Sequence, residues 1–173
     1  DANDKPVPAT GTVTVVRRRN DREISPVSAR VGSPRPVVQD EEVLTTKVTT
    51  NAEGEATFTF TPKKVGYYVI RWTSTDGPRA RDVITAETAV WVTERATTEL
   101  GYRAGSLDIV VDKETMRSGE TANVMIVAPN SGRWVLFSSS GDDLFDTRVL
   151  RMDGTVKLVQ IPLTEKHIPN FFV

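Results

Sequence analysis

Histidine and serine are the residue types in this chain that could support nucleophilic catalysis. His167 is the only histidine, and Ser138, Ser139 and Ser140 are the serines with which it would form a Ser-His-Asp triad. These serines lie within a predicted strand and lack the glycine-flanked turn that exposes a nucleophile. We therefore favour a solvated histidine near a strand end, expect no catalytic residue, and predict that the chain is not an enzyme.

A group of aspartates could bind a hard cation through carboxylate oxygens. Its members are Asp142, Asp143, Asp146 and Asp153. Their spacing is not that of a calcium loop, and aspartates also begin turns by hydrogen-bonding their own backbone, so we predict turns here. The chain has no cysteine, which excludes disulfides, thiolate catalysis and Cys-ligated metal centres. We expect no metal and no cofactor.

An arginine-rich stretch could bind an acidic partner or phosphates. Acidic neighbours at residues 40–42 can neutralise it locally, so a solvated strand end is the favoured interpretation. The stretch enters a predicted loop over residues 20–40 that contains three prolines, and a mobile loop of this kind is a candidate for protease cleavage. The arginines are Arg17, Arg18, Arg19, Arg22, Arg30 and Arg35, of which the last four are the candidate protease-sensitive positions.

The overall charge argues against a nucleic-acid partner. The 22 Lys and Arg residues balance 23 Asp and Glu residues, which gives a formal charge of -1 at pH 7. No apolar run approaches the length that crosses a bilayer, so we expect membrane attachment only through a lipid anchor outside this fragment.

Aromatic residues could form a carbohydrate-binding platform if several of them shared one exposed face. Trp72, Trp91, Trp134, Phe58 and Phe60 alternate with polar residues, however, which is typical of rings that fill the space between two sheets. We favour the core interpretation. The platform would make the chain a non-catalytic appendage of a hydrolase.

The elements that must position these residues are strands. The chain contains 24 Val, 22 Thr and 7 Ile but only 8 Leu, and β-branched residues favour strands over helices. Strands separated by Gly, Pro, Asn and Asp turns recur along the chain, which predicts an all-β fold of two tandem antiparallel Ig-like sandwiches. The clearest one-sided strand covers residues 55–61, and a helix over residues 38–50 is a weaker alternative to a strand there.

Two further features concern the organisation of the chain. Alternation is lost over residues 94–106, so we predict domains at 1–96 and 97–173, with Gly101 and Gly105 as a candidate hinge. Asp153-Gly154 is the strongest hairpin signal, and residues 83–93 change their apolar face, which suggests a bulge or a strand covered on both sides. The apolar residues at 171–173 resemble the start of a strand, and we expect the second sandwich to lack its last strand or strands.

Two stretches resemble a known family. Residues 51–76 resemble a macroglobulin-type sandwich, in which a "G-x-A-x-F" strand leads to a "P-x-x-x-G-x-Y" turn. Residues 107–122 are more specific and resemble the opening of the bait-region domain of bacterial alpha-2-macroglobulins, roughly "D-K-x-x-Y-x-x-G-E-x-A", with Met116 where the family usually has Tyr. The Ile161-Pro162-Leu163 and Pro169-Asn170 segments resemble later strands of the same domain.

The resemblance implies a role for the parent protein and a more modest one for this chain. Members of the family are protease traps of the bacterial envelope, in which cleavage of an exposed bait leads to caging of the protease. The resemblance implies two scaffold domains, the second being the start of the bait-region domain. The implied partners are neighbouring domains of the parent chain and, through the parent, target proteases, with a periplasmic or cell-envelope location. The alternative is a tandem Ig-like stalk or adhesion module of a surface protein.

Overall fold

The chain folds into two β units. The structure is a computed structural model that describes residues 6–22, 36–74, 83–102 and 105–173. The first unit covers residues 1–93 and the second covers residues 94–173. The described residues form nine β-strands, all paired antiparallel, and one short 3-10 helix. The predicted all-β antiparallel class is therefore confirmed.

The first unit is built on one four-stranded sheet. Its strands are β1 (Thr10–Arg22), β2 (Pro36–Thr49), β3 (Gly66–Ser74) and β4 (Ile84–Val92), in the order β2-β1-β3-β4. The Thr and Val residues of β1 explain its burial pattern, because apolar side chains at alternate positions turn to one face. The helical alternative for residues 38–50 is wrong, since β2 covers nearly all of them.

A small apolar cluster lies on one face of this sheet. Val13, Val15 and Tyr68 are buried at its centre, and the rings of Phe58 and Phe60 pack against it from outside the sheet. The Tyr68 hydroxyl donates a hydrogen bond to the Lys64 carbonyl oxygen at 2.7 Å, which satisfies its polar end. Residues 55–61 thus form the second layer over the sheet.

Several expectations for the first unit need correction. Residues 55–61 cover the sheet but are not a strand, because their backbone does not join a ladder. The predicted loop over residues 20–40 is shorter, since β1 extends to Arg22 and β2 begins at Pro36, and the strand pairing of β1 with β2 reaches both ends. No bulge interrupts β4 in its pairing with β3; it is a largely exposed edge strand, and the register shift lies instead between Val15 and Val16.

The second unit is a sandwich of two small sheets. Its strands are β5 (Asp108–Val111), β6 (Thr121–Val127), β7 (Arg133–Ser140), β8 (Leu144–Met152) and β9 (Val156–Pro162), followed by the 3-10 helix Glu165–His167. One sheet has the order β5-β6-β9 and the other is the pair β7-β8. Their facing sides meet in one buried cluster of Ala122, Val124, Ile126, Ala128, Phe137, Met152, Val159, Ile161 and Leu163.

The Asp153-Gly154 turn does not close a hairpin. Strand β8 pairs with β7, whereas β9 pairs with β6, so this turn carries the chain from one sheet to the other. Gly154 is not among the glycines with positive φ. A Cβ there would overlap the Thr98 carbonyl oxygen, so glycine is required for close approach of two backbones rather than for a left-handed conformation.

Residues just after the boundary between the units are fixed to the second unit. The Val156 N–H donates to the Thr98 carbonyl oxygen at 2.9 Å, and Leu100 is 1% exposed. The Glu99 carboxylate accepts hydrogen bonds from the Thr155 hydroxyl at 2.7 Å and from its N–H at 3.2 Å. Gly101 and Gly105 lie beyond these contacts, on the side of the second unit, and the hinge placed at them stays a prediction.

Candidate functional residues and surfaces

His167 lies at the end of the 3-10 helix and is held by its own turn. The Thr164 N–H donates to His167 Nδ1 at 3.1 Å. The ring packs between Phe145 and Phe171, with centroid distances of 4.7 and 5.8 Å. This arrangement fixes the ring as part of the turn.

The three serines have three different surroundings in β7. Ser138 is exposed on the outer face, Ser139 is 1% exposed on the inner face, and Ser140 pairs its backbone with Phe172. The Ser139 hydroxyl oxygen is buried without a hydrogen-bond partner. Among the described residues, the hydrogen bonds of the His167 ring go to Thr164 and not to a serine, so the contacts of a triad are not assembled.

An open cavity of about 690 Å³ lies beside the turn between β7 and β8. Asp142, Asp143 and Asp146 line it, whereas Asp153 lies at the other end of β8 and pairs with Arg151 at 3.6 Å. Asp146 pairs with Arg148 at 2.6 Å. The four aspartates therefore do not form one group, and within the described ranges no cluster of three or more Asp, Glu or His side chains is placed to hold a metal ion.

Arg17 and Arg18 of β1 are engaged by residues of β2 and of the turn before β3. The Arg17 guanidinium donates to the Val65 carbonyl oxygen at 3.1 and 2.8 Å and lies 3.5 Å from the Glu41 carboxylate. Arg18 makes a bidentate pair with Asp40, with both N···O distances 2.9 Å. The local neutralisation expected from the sequence is present for these two arginines.

Hydrogen bonds lower the pKa values of the two acidic partners. The Arg18 guanidinium holds the pKa of Asp40 below its ordinary value, and the Lys64 ammonium does the same to the pKa of Glu41. Of the four candidate protease-sensitive arginines, Arg19 and Arg22 belong to β1 rather than to a loop. Arg30 and Arg35 lie outside the described residues, and protease sensitivity stays a prediction.

The tryptophans differ in burial and in the residues that they contact. Trp72 packs on the core cluster of the first unit, and Trp91 packs on Tyr67 at a centroid distance of 4.5 Å. Trp134 belongs to the second unit and is 67% exposed, with the Arg151 guanidinium 6.0 Å from its ring. The core interpretation is therefore right for Trp72 and wrong for Trp134, because the side chain of Trp134 is on the outer face of β7.

The residues that carry the family resemblance build the connection from β5 to β6. The Asp112 carboxylate accepts bonds from the Asn123 side-chain amide at 2.7 Å and from its N–H at 3.2 Å. The Glu120 carboxylate accepts the Arg117 N–H at 2.9 Å and lies 3.4 Å from the Lys113 ammonium. These bonds lower the pKa values of both carboxyls, chiefly through Asn123 at Asp112 and through the Arg117 N–H at Glu120.

The remaining residues of the motif are also structural. Met116 packs against the buried cluster of the second unit, and Ala122 is completely buried within it. Gly119 has φ +90°, a conformation that other residues rarely adopt. The motif residues therefore form a turn and attach it to the core. Their contacts stabilise the fold.

Comparison with known proteins supports the family resemblance that this motif carries. No protein-family model matches the chain. The chain is 24% identical over 139 residues to an alpha-2-macroglobulin homolog of Nostoc sp. strain PCC 7120, an alignment that covers 80% of this chain and 7% of that protein. This confirms the predicted resemblance to bacterial alpha-2-macroglobulins. The chain thus spans a small part of the length of the relative that it matches.

The chain is also similar to part of a solved structure of another protein. It is the native conformation of Escherichia coli alpha-2-macroglobulin, determined by cryo-EM, at 16% identity and a TM-score of 0.31, with 93% of this chain and 10% of that chain covered. An alignment at this TM-score adds nothing to the fold described above. The described residues include no helix long and apolar enough to cross a membrane.

Sequence reasoning missed the contact that fixes the linker, residues 94–106, to the second unit. Glu99 and Thr155 are separated by 56 positions, and neither stands in a local pattern that predicts a partner. The one available signal was Gly154, whose lack of a side chain marks a close approach as readily as a turn.

Proposed function

We propose that the chain is a non-catalytic scaffold of an alpha-2-macroglobulin-like, broad-spectrum protease inhibitor of a bacterial envelope. The observation that carries the proposal is the sequence similarity over 80% of the chain, together with motif residues that all serve the fold. In this role the first unit is a macroglobulin-like sandwich and the second is the start of the bait-region domain. The proteases and the neighbouring domains are partners of the parent protein.

The packing of the second unit is consistent with a mechanical role. Its buried cluster joins both sheets, and core residues such as Val124 and Ile126 are at most 1% exposed. A packed sandwich transmits displacement as a rigid body because interiors are dense and weakly compressible. Strain released elsewhere in the parent can then be passed through this unit without local chemistry.

The test uses the full-length parent protein mixed with excess trypsin. We expect cleavage of a large protein substrate to be lost while cleavage of a small chromogenic peptide is spared, because a caged protease excludes large substrates. Equal activity on both substrates would overturn the proposal and favour a stalk or adhesion module.

A matched pair of variants assigns the effect to this part of the parent. Val124→Asp places a charge in the core of the second unit and should abolish caging, whereas Glu114→Gln changes an exposed residue and should leave it intact. Full caging by a Val124→Asp protein in which the second unit is shown to be unfolded would mean that the second unit is dispensable.

A further inference from the structure

Strand β7 has one occupied edge and one open edge. It pairs with β8 in a two-stranded sheet. On its other edge, within the described part of the chain, the paired residue is Phe172, which exchanges two backbone hydrogen bonds with Ser140. The Ser140 N–H donates to Phe172 at 2.9 Å and the Phe172 N–H donates to Ser140 at 2.7 Å. An antiparallel ladder therefore begins at this end of β7.

The Ser140 pair defines which backbone groups of β7 face the open edge. In antiparallel strands, alternate residues direct both their N–H and C=O to opposite edges. The register shift at the end of the sheet is absorbed by β8, because Ser139 pairs with Asp146 and Ser140 with Leu144, so the alternation along β7 is unbroken. The residues that face the same edge as Ser140 are Trp134, Leu136 and Ser138.

The last three residues of the chain alternate between partly buried and exposed side chains, as the residues of a strand do. Phe171 and Val173 pack against the core of the second unit, while Phe172 between them is 66% exposed. This period of two is that of a strand lying beside β7 with one face inward. Further along β7, Phe137 is 3% exposed and Val135 packs against the core, so the inward face continues past the bridge.

The open edge carries few of the features that protect edge strands. Lysine, proline and bulges prevent such edges from pairing with other chains. Strand β7 has no lysine and no proline, and Trp134 and Leu136 beside the edge are 67% and 71% exposed. An edge of this kind is suited to being covered in the assembled protein.

We propose that an extended segment of the parent protein, antiparallel to β7 and continuous with residues 171–173, occupies this edge. The inference rests on the proposed function, since the parent supplies the segment. The pairing begun at Phe172 is intramolecular, which gives the following residues a high effective concentration at the edge and favours them over a second copy. The occupant has apolar side chains facing Val135 and Phe137, and no proline opposite Leu136 or Ser138.

Hydrogen exchange compares the parent protein with the 173-residue chain. The amides of Leu136 and Ser138 should exchange on the order of 100-fold more slowly in the parent, because ladder hydrogen bonds protect them. The Val149 amide on the outer edge of β8 is the internal control. Equal rates at Leu136 and Ser138 in the two proteins would overturn the proposal. Slowing that appears in the 173-residue chain as its concentration rises would identify a second copy instead.

A proline pair tests the same edge by a different measurement. Ser138→Pro removes an N–H from the open edge of β7, and Thr147→Pro removes the matching N–H from the outer edge of β8. In the parent, Ser138→Pro should lower Tm by several degrees more than Thr147→Pro, whereas in the 173-residue chain the two should melt together. Equal melting of both variants in the parent would contradict an occupied edge.

The two proposals can fail separately. A parent that protects Leu136 and Ser138 but does not cage trypsin retains the strand assignment and loses the inhibitor function. A parent that cages trypsin and leaves both amides unprotected retains the function and loses the strand assignment.

Discussion

At the scale of single residues, positions with possible chemistry proved to be structural because of what surrounds them. Ser139 lies on the face of β7 that turns to the core, and His167 accepts a hydrogen bond from its own turn. Asp112 and Glu120 bind nearby backbone and side-chain groups. The residue types were visible in the sequence, but the direction of each side chain was not.

The buried hydroxyl of Ser139 provides the first prediction. Its oxygen has no hydrogen-bond partner, and an unsatisfied buried polar atom destabilises the folded state. We expect Ser139→Ala to raise the free energy of unfolding by about 1 kcal/mol, measured by urea denaturation. Ser138→Ala, on the exposed face, is the control and should change it little. A destabilised Ser139→Ala protein would mean that the hydroxyl is bonded.

The close packing of Gly11 against Trp72 provides the second prediction. A Cβ on Gly11 would lie 2.5 Å from the Trp72 ring and 2.7 Å from the Thr73 carbonyl oxygen. Gly11→Ala should therefore destabilise the first unit by about 1–3 kcal/mol, the usual cost of overpacking. Gly105→Ala is the matched control, because no atom lies within 4 Å of its Cβ. Equal thermal melting of the two variants would place Trp72 elsewhere.

At the scale of elements, the connection from β5 to β6 should make stability depend on acid. The pKa values of Asp112 and Glu120 are lowered in the folded chain, so folding favours their ionised forms. The stability that they contribute is present above their ordinary pKa values, about 4, and is lost as pH falls through the lowered values. We expect Tm to be flat from pH 7 to about pH 5 and to fall below about pH 4.

A charge-removing variant isolates this contribution. Asp112→Asn should make the decrease of Tm in acid shallower, because the side chain no longer titrates, while Asp153→Asn at an exposed turn is the control. If the Tm of Asp112→Asn depended on pH in the same way as that of the unsubstituted chain, Asp112 would not contribute to the loss of stability in acid.

At the scale of the whole molecule, the linker contacts bear on where the two units can bend. Thr98 and Leu100 are fixed to the second unit, and the boundary between the units falls after residue 93. A hinge at Gly101 and Gly105 predicts that bulky substitutions there change small-angle scattering. The anchored linker predicts that they do not, because the chain before Gly101 is already held.

Of these two outcomes, we expect the one that follows from the anchored linker. Gly101→Asn with Gly105→Val should leave the scattering profile unchanged, since asparagine tolerates the positive φ of Gly101. Glu99→Gln with Thr155→Val, which removes the 2.7 Å hydrogen bond between these side chains, should alter the profile. A changed profile for the glycine pair, with intact circular dichroism, would restore the glycine hinge.

Much of the architecture follows from the sequence by itself. The excess of Val and Thr determined the all-β class, and the alternation of β3 placed Tyr68, Ile70 and Trp72 on one face, where the core cluster lies. The motif over residues 107–122 indicated the relative. These are local properties, and a local pattern reports which side of a strand is apolar.

Tertiary structure alone decided which strands pair and which faces are covered. Asp153-Gly154 reads locally as a hairpin, yet β9 pairs with β6, and Gly154 lies against the backbone of Thr98. Trp134 reads as core and is exposed, because the outer face of β7 has no layer above it in the described chain. Strand pairing and the covering of a sheet face depend on residues far apart in sequence, such as Glu99 and Thr155. A local sequence pattern does not show that two such residues are in contact.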